Sequence, residues 1–180
     1  MEQYGTALPD EQNEQMQVRL QKAARLREAG VNPYPDRYER SHTLQEAGGL
    51  ADGTGGVRVA GRVVAIRYFG KLAFGHLHDF SGRMQFALQK GKLGDRFGAF
   101  KHTIDIGDFV GITGEIMTSK TGEKTVDADE WMLLAKALRP LPEKFHGLAD
   151  PERKLRQRYL DLVMSPGVLA RFKKRTLIIK

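Results

Sequence analysis

Residues 57–90, VRVAGRVVAIRYFGKLAFGHLHDFSGRMQFALQK, decide the fold. β-branched and aromatic residues alternate there with polar ones, the period of a strand with one buried face. In the first thirteen residues the apolar phase runs through Val57, Val59 and Val63, then shifts to Val64 and Ile66. A one-residue slip of this kind predicts a bulge in a strongly curved first strand. Gly70 leads directly into KLAFGHLHDF, and Ser81-Gly82 makes a tight turn into RMQFALQK, where Met84, Phe86 and Leu88 share one face. Three strands in a meander follow.

Downstream, residues 91–104 break the alternation with Leu93, Phe97 and Phe100 at helical spacing. After Gly107-Asp108 the alternation returns in FVGITGEIMTS, and Lys120-Thr121-Gly122-Glu123 turns the chain into KTVDADEWMLLAKAL. Three strands, a helix and two strands is the order of an OB-fold, a five-stranded Greek-key barrel whose second and third strands commonly bind oligonucleotides. The predicted class is therefore mainly β with appended helices, the barrel occupying 57–138.

Upstream, residues 11–29 carry Met16, Leu20, Ala23 and Ala24 at helical spacing with Gly30 placed to terminate, an amphipathic helix. VNPYPDRYERSHTLQEAGGLADGTGG reads as an extended connector followed by a mobile loop, so residues 1–56 form a helix and connector. On the other side, RPLPEKFHGLADP holds three of the seven prolines, and residues 139–152 read as a semi-rigid linker. Asp150-Pro151 and Ser165-Pro166 each pair an N-cap with a proline and predict two helices in 153–180. The second carries Leu169, Phe172 and Ile179 along one side and ends at Lys180 without a cap. The expectation is a fragment whose apolar helix face belongs against a further domain. The alternative is that this end folds back on the barrel.

The chain has 180 residues, no cysteine and a net charge of +7. Absence of cysteine removes disulfides, thiolate metal sites and thiol nucleophiles, and fits a reducing, cytoplasmic setting. No apolar run approaches the roughly 18 residues of a membrane helix, and the first residues are too polar and acidic for a secretory signal. The charge is unevenly placed: residues 1–138 hold 18 basic and 18 acidic side chains, residues 139–180 hold 11 and 4. The barrel is thus not uniformly basic, although residues 57–89 carry Arg58, Arg62, Arg67, Lys71 and Arg83 against Asp79 alone. Such a cluster reads equally as solvated strand charges or as phosphate contacts. The glycines of GKLGDRFG lack the Gly-Lys-Ser/Thr ending of a phosphate loop, and no Ser-His-Asp or paired-acid arrangement has local support. His76 and His78 alternate as metal ligands can, but no further ligand cluster accompanies them.

The connector LRPLPEKFHGLADPERKLRQRYLDL at 138–162 resembles the one leading into the first motif of bacterial-type class II lysyl-tRNA synthetases. LREAGVNPYPDRYERSHTLQEA, VRVAGRVVAIRYFGKLAF and TGEKTVDADEWMLLAKALRPLP resemble the N-terminal region of the same family in order and spacing. The resemblance implies a barrel that binds the anticodon loop of tRNA-Lys, in a parent enzyme that joins lysine to tRNA. It also implies that ATP and Mg2+ belong to catalytic motifs beyond Lys180, that FKKRTLIIK opens the long dimer-forming helix, and that the parent is a cytoplasmic homodimer. No cofactor or metal is expected in residues 1–180.

Four residues match base-reading positions of that family. Phe74, flanked by Ala73 and Gly75, reads by pattern as a core or an outward side chain, and the resemblance assigns it to base stacking. Gln85 is opposite in phase to Met84 and Phe86, so it faces outward with both a donor and an acceptor, and it matches the reader of the middle uridine. Glu130 matches a base reader, yet its strand phase with Val126 and Ala128 turns it inward unless the strand bulges. Arg67 matches a basic anticodon contact and reads otherwise as a plain surface arginine. Arg58, Arg62 and Lys71 would hold the RNA backbone. Two rival readings remain: a non-specific single-strand binder on the same barrel, and a protein-interaction module.

Overall fold

The computed structural model describes residues 10–141, 150–165 and 167–180. Five strands, β1 (Val57–Phe69), β2 (Leu72–His78), β3 (Arg83–Gln89), β4 (Phe109–Thr118) and β5 (Lys124–Ala135), close into a barrel in the order β1-β2-β3-β5-β4. All neighbours are antiparallel except β3 and β5, which run parallel. The OB-fold expected from element order is the fold found.

The slip in β1 is a bulge at Val64, since the register passes from Val63 opposite Leu77 to Ala65 opposite His76. Before it Val57, Val59 and Val63 are buried, and after it Ile66 and Tyr68 pack against the core. The extra residue also turns Ala65, Arg67 and Phe69 to the outer face. Without it, an arginine would point into the barrel.

Two short helices separate β3 from β4: α3 (Lys90–Leu93) and α4 (Asp95–Thr103). Leu93, Phe97 and Phe100 on one side of them cover the barrel opening. Phe100 meets the rings of Phe86 and Trp131 edge-on, with centroids 5.9 and 5.1 Å apart, joining three elements in one aromatic stack.

Residues 41–53 are more ordered than a mobile loop. A short helix α2 (Leu44–Gly48) starts at Thr43 in a capping box, in which the Thr43 hydroxyl accepts from Glu46 N–H and the Glu46 carboxylate accepts from Thr43 N–H. Glycine-rich flanks conceal the T-x-x-E signal that produces it. Leu44 and Ala47 are fully buried against the barrel core. Earlier in the connector, the Tyr38 ring lies over Gly111, where any Cβ would collide with it.

The N-terminal helix α1 (Asp10–Glu28) is fastened by charge. Lys136, wholly buried, bonds the equally buried Asp108 and also Asp105, both at 2.6 Å, while Lys22 of α1 reaches Asp105 at 2.6 Å. Asp108 accepts further from the N–H groups of Asp105 and Ala137. Burial pushes the Asp105 carboxyl up, but the hydrogen bonds from Lys136 and Lys22 outweigh it and leave its pKa below the ordinary value. Arg19 adds a bond to the Ala137 carbonyl at 2.9 Å.

The chain divides into two compact units, Met1–Pro140 and Leu141–Lys180. The helix expected from Asp150-Pro151 is broken at Gln157 (φ −114°, ψ 57°) into α5 (Pro151–Arg156) and α6 (Arg158–Met164), and α7 (Val168–Ile179) follows. Among the described residues three helices thus stand where two were expected. In α6 Leu160 is buried while Tyr159 is exposed, and Arg158 lies over the ring of Phe172 in α7. Leu177, Ile178 and Ile179 are exposed. Most of the KFHGLADPE stretch lies outside the described residues. Among the described residues no helix is long and apolar enough to cross a membrane, and no cluster of His, Cys, Asp or Glu could hold a metal ion.

Candidate nucleic-acid interface

Antiparallel register arranges the outer face of β1, β2 and β3 in rows. Arg67, Phe74 and Ala87 stand side by side in one row, and Ala65, His76 and Gln85 in the next, with Thr125 of β5 beyond Gln85. Phe69, Leu72 and Gln89 make the row on the other side of Phe74. A groove of about 730 Å³ lies over these rows, walled on one side by residues 117–121 and Glu123 of the β4–β5 connection.

Phe74 faces this groove because its neighbours cannot. Ala73 is fully buried, and a Cβ on Gly75 would meet the Phe86 ring in the core. Across from Phe74 the small Ala87 leaves space for a flat ligand. Phe69, 60% exposed, meets the Phe74 ring edge to face at 6.4 Å and extends the aromatic floor. Arg67, Arg83 and Lys120 line the groove as cations.

At the edge of that floor three side chains form a connected polar group. Glu123 lies at the foot of a turn fixed by Ser119 N–H donating to the Glu123 carbonyl and by Glu123 N–H donating to the Ser119 hydroxyl. Its carboxylate accepts from Gln85 Nε2 at 2.7 Å and lies 2.9 Å from His76 Nε2. A carboxylate only accepts, so both nitrogens carry the protons in these contacts. Gln85 Oε1 in turn accepts from the buried Thr125 hydroxyl at 2.8 Å. Thr125 below and Glu123 above therefore fix which way the Gln85 amide points.

Of the residues singled out in the sequence, the groove brings together Phe74, Gln85 and Arg67. Glu130 is not among those that line it. The strand does bulge, at Asp129, where the β4–β5 register passes from Thr113 opposite Glu130 to Gly114 opposite Ala128. This turns Glu130 outward, but to Arg96 of α4, which donates to it at 2.9 Å. Glu123 supplies the carboxylate beside Gln85 instead. Among the backbone-contact candidates, Arg62 lies 4.3 Å from the Phe109 ring centre and donates to the Gly107 carbonyl. Burial lowers its pKa, and Asp108 partly restores it. Arg58 is exposed on the β4 side of β1, Lys71 is exposed in the β1–β2 turn, and neither lines the groove.

Three contributors to the groove carry little local signal: in the sequence Glu123 is a turn residue, His76 alternates with His78, and Thr125 follows the turn with nothing to mark it. The missing information is the parallel β3–β5 pairing, which no local period encodes.

Residues 57–134 match the tRNA anti-codon family, described as an OB-fold nucleic acid binding domain. The chain is 43% identical over 175 residues to the lysine–tRNA ligase of Carboxydothermus hydrogenoformans, covering 94% of this chain and 35% of that protein. It is 47% identical over 176 residues to the lysine–tRNA ligase of Roseiflexus castenholzii, covering 94% and 36%. With the lysine–tRNA ligase of Bacillus subtilis it shares 40% identity over 181 residues, 95% and 36% of the two chains. The chain thus spans about a third of the length of the curated relatives it matches.

Proposed function

We propose, from the match of residues 57–134 to the tRNA anti-codon family of OB-fold nucleic acid binding domains, that the groove reads the anticodon loop of tRNA-Lys for a lysine–tRNA ligase. The observation that carries the reading is the adjacency of a flat aromatic floor, Phe74 beside Ala87, to the hydrogen-bonded pair Gln85–Glu123. Unpaired loop bases are recognised by such means: one face stacks on a ring, and the Watson-Crick edge meets polar groups.

The pair suits uracil. One Gln85 Nε2 proton is held by Glu123, and the other is available to the O4 acceptor of a base. The Glu123 carboxylate can accept the N3–H proton beside it. Cytosine presents the reverse order, an amino donor and then a bare N3 acceptor, so donor faces donor and acceptor faces acceptor. Arg67, Arg83 and Lys120 would neutralise neighbouring phosphates and make affinity fall with salt.

ATP and Mg2+ belong, in this proposal, to a catalytic part of the ligase outside the matched third, and the residues described here contribute selection of the tRNA. Homodimer formation by the whole enzyme and a cytoplasmic setting are part of the same proposal. So is the division of this chain into helix and connector 1–56, barrel 57–138, linker 139–152 and the start of the catalytic part at 153–180.

Titration of labelled anticodon stem-loops tests the reading. A loop with uridine at the middle position should bind more tightly than one with cytosine. Phe74→Ala should weaken both loops by about 1 to 3 kcal/mol, the worth of one stacked base. Gln85→Ala should chiefly narrow the difference between them. Equal affinity for both loops and for scrambled RNA would leave only a non-specific single-strand binder.

A further inference from the structure

Selecting uracil over cytosine with a carboxylate demands that the carboxylate stay in place. If its oxygens swing toward the amino group of cytosine, they gain a hydrogen bond from the wrong base, and selectivity is lost. The backbone of Glu123 is fixed by its turn, but the side chain is 45% exposed and would otherwise sample several rotamers. Gln85 secures one oxygen, Oε2. The other, Oε1, is secured by His76 Nε2 at 2.9 Å.

His76 is well placed for this. It stands directly across from Gln85 in the β2–β3 ladder, so both donors rise from adjacent strands at one level, and Glu123 reaches over them from the β4–β5 turn. Its side chain is only 18% exposed, which limits the solvent screening that makes surface pairs weak. On the far side its ladder partner is Ala65, too short to compete for Nε2.

We propose that His76 is a positioning residue for base selection: by donating from Nε2 to Oε1 of Glu123 it pins the carboxylate at the level of the pyrimidine N3, and so sets the preference for uracil over cytosine. The inference rests on the groove reading given above. His76 itself touches no base, and its effect passes through Glu123.

The test is the ratio of stem-loop dissociation constants, middle cytosine over middle uridine, for this chain and its variants. His76→Ala should lower the ratio roughly tenfold, the lower range for a hydrogen bond to a charged group. His76→Gln, whose carboxamide N–H can still reach Glu123, should recover most of it. Glu123→Gln should lower the ratio at least as far as His76→Ala. Folding of each variant is verified by urea unfolding monitored at Trp131, the single tryptophan. If His76→Ala leaves the ratio within twofold of the parent while Gln85→Ala collapses it, the groove reading stands and the role of His76 is overturned. It is overturned also if His76→Gln falls as far as His76→Ala, since a donor would then not be what matters. If Phe74→Ala and Gln85→Ala change no binding at all, the groove reading fails first and this inference with it.

Discussion

Gly75→Ala tests how the core and the groove share β2. A Cβ on Gly75 would stand 2.5 Å from Cε1 of Phe86, closer still to Cζ, and 2.8 Å from the Ala65 carbonyl oxygen. Neither obstacle can yield cheaply. Phe86 is fully buried and held by Phe100, which is itself held by Trp131, and the carbonyl belongs to the ladder just after the β1 bulge. Overpacking of this kind costs about 1 to 3 kcal/mol, and two simultaneous clashes place the expectation near ~3 kcal/mol. Alanine returns somewhat under ~1 kcal/mol by restricting the unfolded chain, which leaves a net loss of about 2 kcal/mol. Phe86→Leu removes the ring atoms nearest the new methyl, so the two substitutions should couple favourably by about 1 to 2 kcal/mol in a double-mutant cycle. Urea unfolding monitored by Trp131 fluorescence measures all four corners, since Trp131 packs on the same aromatic stack. A Gly75→Ala variant within ~0.5 kcal/mol of the parent, or strict additivity with Phe86→Leu, would refute the argument that Phe86 occupies the space that keeps residue 75 a glycine.

Other perturbations separate structural from recognition roles. The buried Tyr68 hydroxyl has no hydrogen-bond partner among the described residues, so Tyr68→Phe should be neutral or stabilising by up to ~1 kcal/mol in thermal unfolding. Burial first, and the Asp105 charge second, raise the Tyr68 phenol from 10.0 to about 12. The folded state therefore favours the protonated form, and its contribution is full below pH 10 and lost as pH rises toward 12. Stability across that window should fall less in Tyr68→Phe. On the acid side, Asp105 has a folded pKa below its unfolded value, so its contribution is present above the unfolded pKa and lost as pH falls through the folded one. Asp105→Asn should flatten the acid limb of a stability–pH curve. Thr43→Ala, which removes the cap of α2, should cost about 1 kcal/mol in urea unfolding. Glu130→Gln should leave the uridine-to-cytosine ratio unchanged while Glu123→Gln reduces it, and the opposite outcome would reassign the carboxylate that reads the base.

Much of the architecture is local and so was legible. Alternation located all five strands, because a half-buried strand must place apolar residues two apart. The phase slip after Val63 announced the bulge, and with it the outward facing of Arg67. Opposite phase to Met84 and Phe86 put Gln85 on the outer face before any pairing was known. The exception is α2, whose Thr43–Glu46 capping box is masked in the sequence by glycine-rich flanks that favour a loop.

What periodicity could not supply was which distant residues meet. Glu123 stands just before β5 and Glu130 midway along it, and only the Asp129 bulge and the parallel β3–β5 register decide that Glu130 meets Arg96 while Glu123 meets Gln85. Likewise His76 becomes a partner of Glu123 only when the β4–β5 turn folds over β3. The amino-acid sequence alone determined the succession of strands and helices along the chain, the curvature of β1 and the outward position of Gln85, since each follows from neighbours a few residues apart. The composition of the polar group beside Phe74 was decided by tertiary structure, since closing a barrel sets contacts between residues 38 and 47 positions apart that no local pattern records.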